Sequence, residues 1–288
     1  MNALARLALG TLKGYSRIAP TERGGFRLAR LARRLVPESE RQGIFQTPDG
    51  LRLHLDLRTY PDITMAVGLY ELDTARLIHR LLKPNLWFVD VGANLGYFTL
   101  LAAKWTAPAG RVDAFEPDPI NRKRLEQHLH ENSLGDRVRI YPIAASSQAG
   151  EVELIHPQSA GANHGMASMY KSLAGEGETF TVPTARLDKL LNGSPDLIKL
   201  DVEGAELAAI EGMENILRSP TPPRLIIEHN PTSCAAAGYR PADIFAKLLQ
   251  FRPDYKVFWI GWRLKQIKSP EELNSISRQG NILVTTNT

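Results

Sequence analysis

The sequence predicts an α/β fold, with helices alternating around a mostly parallel sheet. Three observations predict it. Leu86–Val89 is an apolar run of strand length that ends in the carboxylate Asp90. The small-residue turn Gly92-Ala93-Asn94-Leu95-Gly96 follows, and Tyr97–Lys104 then reads as a helix rich in Leu and Ala. The next apolar run, Val112–Phe115, ends in a second carboxylate, Glu116. It stands 20 residues past Gly96, about where a ribose-binding acid sits in a nucleotide-binding βαβ unit.

Length and composition set the frame. The chain has 288 residues, enough for one large α/β domain with an appendage, and its 43 % apolar fraction is that of a soluble globular protein. One cysteine, Cys234, excludes an intrachain disulfide framework and fits a cytoplasmic setting. No apolar window is long enough to span a membrane. The net charge of +4 is uneven. The first 35 residues carry eight basic residues against Glu22 alone, or +7. The rest holds 27 basic against 30 acidic residues, or −3. Arg6, Lys13 and Arg17 interrupt any signal-peptide core.

In chain order, residues 1–60 read as a basic appendage of helices plus a hairpin, and 61–288 as the main domain. Leu4, Leu7 and Leu12 share one expected helical face; Phe26, Leu28, Leu31 and Leu35 share another. Two roles stand for this segment: packing on the domain or on a second subunit, or peripheral contact with an anionic membrane or other acidic surface. No nucleic-acid module is visible. Gly43–Leu57 predicts a hairpin turning at Asp49-Gly50. Gly68–Glu71 opens a helix expected to run to about Leu82. Asp118–Asn132 is the next helix and Val138–Tyr141 the third strand. Glu151–His156 pairs with Thr179–Thr184, and the intervening loop 157–178, with His164, is placed over an acceptor site. Asp196–Asp201 is a strand, Ala205–Leu217 a helix, and Arg224–His229 another strand. A helix near Ala242–Gln250 and strands near Tyr255–Ile260 and Ile282–Thr285 close the sheet.

Ligand chemistry follows from the first turn. Dinucleotides favour G-x-G-x-x-G, so that a pyrophosphate sits on the helix N-terminus. Here Asn94 replaces the second glycine of the turn, and Asp90 would repel a phosphate. The pattern D-x-G-x-x-x-G followed by Glu116 suits a cationic nucleoside, which S-adenosylmethionine is.

At FVDVGANLGYFT, AFEPDP and DLIKLDVEGAE the chain resembles the FkbM-type S-adenosylmethionine-dependent methyltransferases. The resemblance covers roughly Gly68 to Asn230. It implies a Rossmann-like, seven-stranded class I methyltransferase sheet and O-methyl transfer to a sugar, glycan or secondary-metabolite hydroxyl. It also implies a cofactor site drawn from Tyr70, Glu71, Asp90, Gly92, Ala93, Asn94, Gly96, Glu116, Pro117, Ala144, Ala145 and Asp201. Tyr70 and Glu71 read equally well as ordinary surface residues. Ala144 and Ala145 leave room for an adenine ring or make a tight turn. Ser168 sits in an Ala-Ser-Met segment that resembles one in the family.

Three strands end in Asp90, Asp201 and Glu228-His229, which predicts a polar rim on one sheet edge. His229 is the expected general base, because its reference pKa lies near neutrality. Asp201, Glu203 and Glu228 are expected to orient it, to bind the acceptor hydroxyl, or to hold a divalent metal. Glu203 and Glu206 also read as first-turn helix acids. The competing readings are an NAD-dependent oxidoreductase and a non-catalytic binding protein that keeps the cofactor fold.

Overall fold

The computed structural model describes residues 3–19, 21, 24–157, 168–174 and 176–286. His164 and half of the loop expected over the acceptor site lie outside the described residues. The hairpin forms as expected: β1 (Gln42–Gln46) pairs antiparallel with β2 (Arg52–Asp56). The main strands follow in chain order: β3 (Trp87–Val91), β4 (Arg111–Phe115) and β5 (Val138–Tyr141). The strands β6 (Ala144–Ala145), β7 (Gly150–Pro157) and β8 (Gly177–Ala185) make a separate three-stranded sheet in the order β6-β8-β7. Then come β9 (Leu197–Leu200), β10 (Arg224–His229), β11 (Lys256–Trp259), β12 (Lys265–Ile267) and β13 (Gly280–Thr285).

The large sheet has eight strands in the order β12-β11-β13-β10-β9-β3-β4-β5. The run from β10 to β5 is parallel; β13, β11 and β12 are antiparallel. The eighth strand, β12, is a three-residue edge piece that a seven-strand expectation omits. Strand order reverses around β3, which has β4 on one side and β9 on the other. Open α/β sheets bind ligands at such a reversal, beyond the carboxyl ends of the strands.

Side-chain alternation divides the core in two. Phe88, Leu197 and Ile226 face one cluster; Val89, Val91, Ile198 and Ile227 face the other. The helix α1 (Ala3–Ile18), α2 (Gly25–Arg33) and the hairpin leucines share the first cluster with Phe88 and Leu100. A boundary at 60/61 therefore runs through one continuous core. Arg76 fastens the C-terminal end of α1, donating to the Ser16 carbonyl at 2.9 Å and to the Ala19 carbonyl at 2.5 Å. The leucines expected to share one face of α1 do not share one environment, since Leu12 is buried and Leu4 and Leu7 are exposed. Ala5, Leu9, Leu12 and Ser16 point inward from α1, and Ala29, Ala32 and Val36 from α2 and its end. Leu4, Leu7, Leu28, Leu31 and Leu35 are exposed.

Two helix expectations change. Gly68–Glu71 is a turn between α3 (Asp62–Ala66) and α4 (Leu72–Leu81), because Gly68 and Glu71 both take positive φ. The helix expected over Ala205–Leu217 is two pieces, Glu206–Glu211 and Glu214–Leu217. They part at Gly212, where a Cβ would lie 2.1 Å from the Ser146 carbonyl oxygen, so the backbone is pressed against the small sheet. Two further helices lie close to their expected positions: α5 (Tyr97–Trp105) and α6 (Pro119–Glu131), the latter capped by the Asp118 carboxylate on the Ile120 N–H at 2.7 Å.

Candidate active site

One cavity of about 290 Å³ opens at the strand-order reversal, in the size range of small-molecule sites. Its floor is the turn after β3. Gly92 sits at φ +83°, and a Cβ there would lie 1.8 Å from the Asp201 carbonyl oxygen, so only glycine lets the β3 and β9 ends meet. The Asn94 N–H donates to Glu116 Oε2 at 2.6 Å, and the Asp118 N–H donates to Glu116 Oε1 at 2.9 Å. Two backbone donors thus aim this acid at the turn. Burial pushes the Glu116 carboxyl up to about 8 against those donors.

Asp90 lies beside it on β3, 1 % exposed. Thr99 donates its hydroxyl to Asp90 Oδ2 at 2.6 Å, while Oδ1 is buried without a partner. The parallel register sets Asp90 opposite Lys199 of β9. Lys199 is 2 % exposed and donates to Asp201 Oδ2 at 2.6 Å, with its ammonium 4.7 Å from the Phe98 ring centre. Burial alone would depress this lysine. The carboxylates Asp201, Glu71 and Asp90 outweigh burial and hold it charged. Asn281 of β13 reaches in from the antiparallel end of the sheet. Its Nδ2 donates to Glu71 Oε2 at 2.8 Å and to Thr74 Oγ1 at 3.0 Å, and its Oδ1 is a second buried orphan. Tyr70, Tyr97 and Phe98 form an aromatic wall, with the two tyrosine rings edge-on at 5.5 Å.

A second group of acids stands at the ends of β9 and β10. Asp201, Glu203 and Glu228 each bring a carboxylate oxygen to a cluster within 4.8 Å. Glu228 Oε1 accepts from Gln279 at 2.5 Å, and Oε2 is a third buried orphan on the same cavity. Burial, then Asp201, then its other acidic neighbours, push the Glu203 carboxyl up to about 8. Burial, followed by Asp201 and Glu203, raises Glu228 well above the carboxylate range. Three of the five non-glycine residues with positive φ among those described, Glu71, Asn94 and Glu203, line this cavity. Such backbone costs of order 1–3 kcal/mol each and clusters where geometry serves a ligand.

Every residue expected at the cofactor lines the cavity except Gly96. Gly96 caps α5 at φ +93°, and a Cβ there would lie 2.3 Å from Leu125 Cδ1. It packs α5 against α6 and does not line the cavity. His229 is the other correction. It follows Glu228 in β10, so the two side chains point to opposite sheet faces. Its Nε2–H donates to the Ile276 carbonyl at 2.8 Å, its ring packs edge-on to Trp259, and it does not line the cavity. Burial lowers its pKa. The structure turns His229 away from the cavity and brings Asp201, Glu203 and Glu228 together. Glu206 serves the backbone, as its first-turn position suggested: it accepts from the Val202 and Gly204 N–H groups and from the Tyr239 hydroxyl.

Lys199, Asn281, Gln279 and the Tyr97–Phe98 wall were missed in the sequence. Lys199 carried a signal, since a lysine inside the run Leu197–Leu200 is costly to bury unless a carboxylate meets it. Asn281 carried a weaker one, a polar residue entering the apolar run Ile282–Val284.

Methyltransferase sdnD of Sordaria araneosa is 30 % identical over 162 residues, covering 46 % of this chain and 62 % of its own length. Hexuronic acid methyltransferase AglP of Haloferax volcanii is 30 % identical over 156 residues, covering 52 % of this chain and 59 % of its own. The chain therefore spans about three fifths of the length of these relatives. The crystal structure of methyltransferase FkbM from Methylobacillus flagellatus superposes with a TM-score of 0.45 at 18 % identity, covering 79 % of this chain and 56 % of that one. The methyltransferase FkbM domain family matches residues 90–255, more than half of the chain, and the protein belongs to that family.

Proposed function

We propose that this protein transfers a methyl group from S-adenosylmethionine to a hydroxyl oxygen of a sugar, glycan or secondary metabolite. The observation that carries the proposal is the charge of the cavity. Glu71, Asp90, Glu116, Asp201, Glu203 and Glu228 line it against one lysine, Lys199. Glu228 is protonated, and Glu116 and Glu203 sit at about 8. The lining still gives a pyrophosphate no unpaired cation, because Lys199 is held by Asp201, whereas the buried carboxylates suit a sulfonium and an ammonium. This disfavours an NAD-dependent oxidoreductase.

The residues present fit the cofactor. The orphan oxygens Asp90 Oδ1 and Asn281 Oδ1 are acceptors awaiting donors, as an α-ammonium supplies. Glu116 retains free lone pairs for the ribose hydroxyls. Ile143, Ala144, Ala145 and Leu154 line an apolar slot suited to adenine. The faces of Tyr70, Tyr97 and Phe98 favour a nearby cation. Bound adenosylmethionine supplies an electrophilic methyl on positive sulfur.

The chain itself has to position the acceptor and remove its proton. Glu203, poised near neutrality, takes the hydroxyl proton. Glu228, held protonated, hydrogen-bonds the acceptor through Oε2, the oxygen without a partner. Two acids pushed apart by their surroundings divide such roles elsewhere. Asp201 holds Lys199, which keeps that cation out of the acceptor space. Glu203, ionised in the reacting form, makes an anionic acceptor beside it unfavourable, so we assign a neutral hydroxyl. A divalent cation at Asp201, Glu203 and Glu228 is the second reading, favoured by the same orphan oxygen. The test of the proposal is calorimetric titration with S-adenosylhomocysteine and, separately, NAD. Binding of the first alone is expected; binding of NAD alone would overturn the proposal.

A further inference from the structure

The chemistry above uses nothing from the first 36 residues. On α1, Leu4, Leu7 and Ile18 lie on the face opposite the buried Ala5, Leu9 and Leu12, and are 59 %, 67 % and 81 % exposed. On α2 and its C-terminal end, Leu28, Leu31 and Leu35 repeat the spacing i, i+3, i+7 and are also exposed. Arg27, Arg30 and Arg34 run beside them at the same spacing and are exposed too, as are Arg6 and Arg17 on α1. The two helices pack against each other. Six of the eleven exposed large hydrophobic side chains among the described residues fall in this short segment. Scattered exposed leucines need no explanation, but a concentrated set interleaved with arginines does.

The geometry points to this helical pair as a docking face for an anionic lipid bilayer. The aliphatic strip enters the interface, and the arginines meet lipid phosphates, which is how basic amphipathic helices bind. Charge complementarity selects this occupant. The segment is +7 and the rest of the chain −3, so an anionic surface attracts this face and repels the remainder. A second copy of the chain would have to set +7 against +7. No helix among the described residues is long and apolar enough to cross a membrane, so the contact is a surface one. One helix, α3, stands between α2 and the cavity. α2 packs on α3, and Met65 of α3 lines the cavity together with the half-exposed Tyr60. Docking would hold the cavity within one helix layer of the bound face. The consequence that the acceptor is met at a membrane rests on the proposed methyl transfer; the docking itself does not.

The test is co-sedimentation of the full chain with vesicles of phosphatidylcholine alone and of phosphatidylcholine mixed with phosphatidylglycerol. Two variants accompany it, L7Q/L31Q and R27Q/R30Q/R34Q, each checked for an unchanged circular dichroism spectrum. All five positions are exposed, so both variants should fold. Binding to the anionic vesicles only is expected, with each variant weaker by about tenfold or more. Equal binding to neutral vesicles, or unaltered binding of either variant, would overturn the proposal. So would a dimer in the absence of vesicles that L7Q/L31Q dissociates.

Discussion

The backbone N–H of Asn94 donates to Glu116 Oε2 at 2.6 Å, tying the turn after β3 to the acid after β4. This bond holds the carboxylate of one strand end over the glycine turn of its neighbour. It makes Glu116 a fixed part of the turn, with its remaining lone pairs facing the cavity.

Replacing Glu116 should therefore damage cofactor binding more than folding. A charge-assisted hydrogen bond is worth about 1.5–3 kcal/mol, so E116Q should weaken adenosylhomocysteine binding by roughly tenfold to a hundredfold. Isothermal titration calorimetry measures this directly. The same experiment in buffers of different ionisation enthalpy should show proton release at pH 7. Glu116 is pushed up to about 8 in the free protein, and ribose hydroxyls favour its ionised form.

The unliganded protein should lose stability as pH rises. Glu116 and Glu203 both sit at about 8 in the folded state, above the ordinary glutamate value of 4.5. A raised folded pKa means that the folded chain binds more protons than the unfolded chain between the two values. The contribution is present below about 4.5 and is lost as pH climbs through about 8. Urea melts between pH 5 and pH 8 should show a falling midpoint, and saturating adenosylhomocysteine should flatten the trend.

Removing the proposed base should affect turnover and leave cofactor affinity intact. E203Q should lower kcat by about 10²–10⁴-fold, the usual worth of general-base help. In the parent enzyme kcat/KM for the acceptor should rise with pH through about 8, as Glu203 ionises. H229A should keep its kcat, because the ring faces away from the cavity, and should lower the melting temperature through loss of the Ile276 bond and the Trp259 contact. A loss of turnover in H229A at unchanged stability would restore the histidine to the mechanism.

Chelation separates the two accounts of the carboxylate cluster. If Glu203 and Glu228 divide the roles of base and neutral donor, EDTA leaves the acceptor-dependent rate unchanged. A rate lost to EDTA and restored by Mg²⁺ or Mn²⁺ would place a cation at Asp201, Glu203 and Glu228.

Much of this site could be read from the sequence, because it hangs on strand ends. Apolar runs that stop at Asp90, Glu116 and Asp201 mark both the strands and the residues that leave them. The errors have local causes. Placing His229 in the cavity ignored strand alternation, which lets only one of two consecutive residues face it. Gly96 was grouped with Gly92 although they serve different neighbours, Leu125 in one case and the Asp201 backbone in the other. Of the three leucines expected to share a face of α1, Leu12 is buried while Leu4 and Leu7 are exposed, because α1 turns Ala5, Leu9, Leu12 and Ser16 toward the domain. Asn281 lies 191 residues from Asp90 in the chain, and no local pattern joins them.

The proposed function stands on Asp90 and Glu116 surrounding a positively charged nucleoside. A crystal structure with S-adenosylhomocysteine tests it most directly. The account predicts ribose hydroxyls on Glu116, the amino group within hydrogen-bonding distance of Asp90 or Asn281, and the sulfur facing Glu203 and Glu228. A nucleoside seated elsewhere, with Glu116 touching only its own turn, would contradict it.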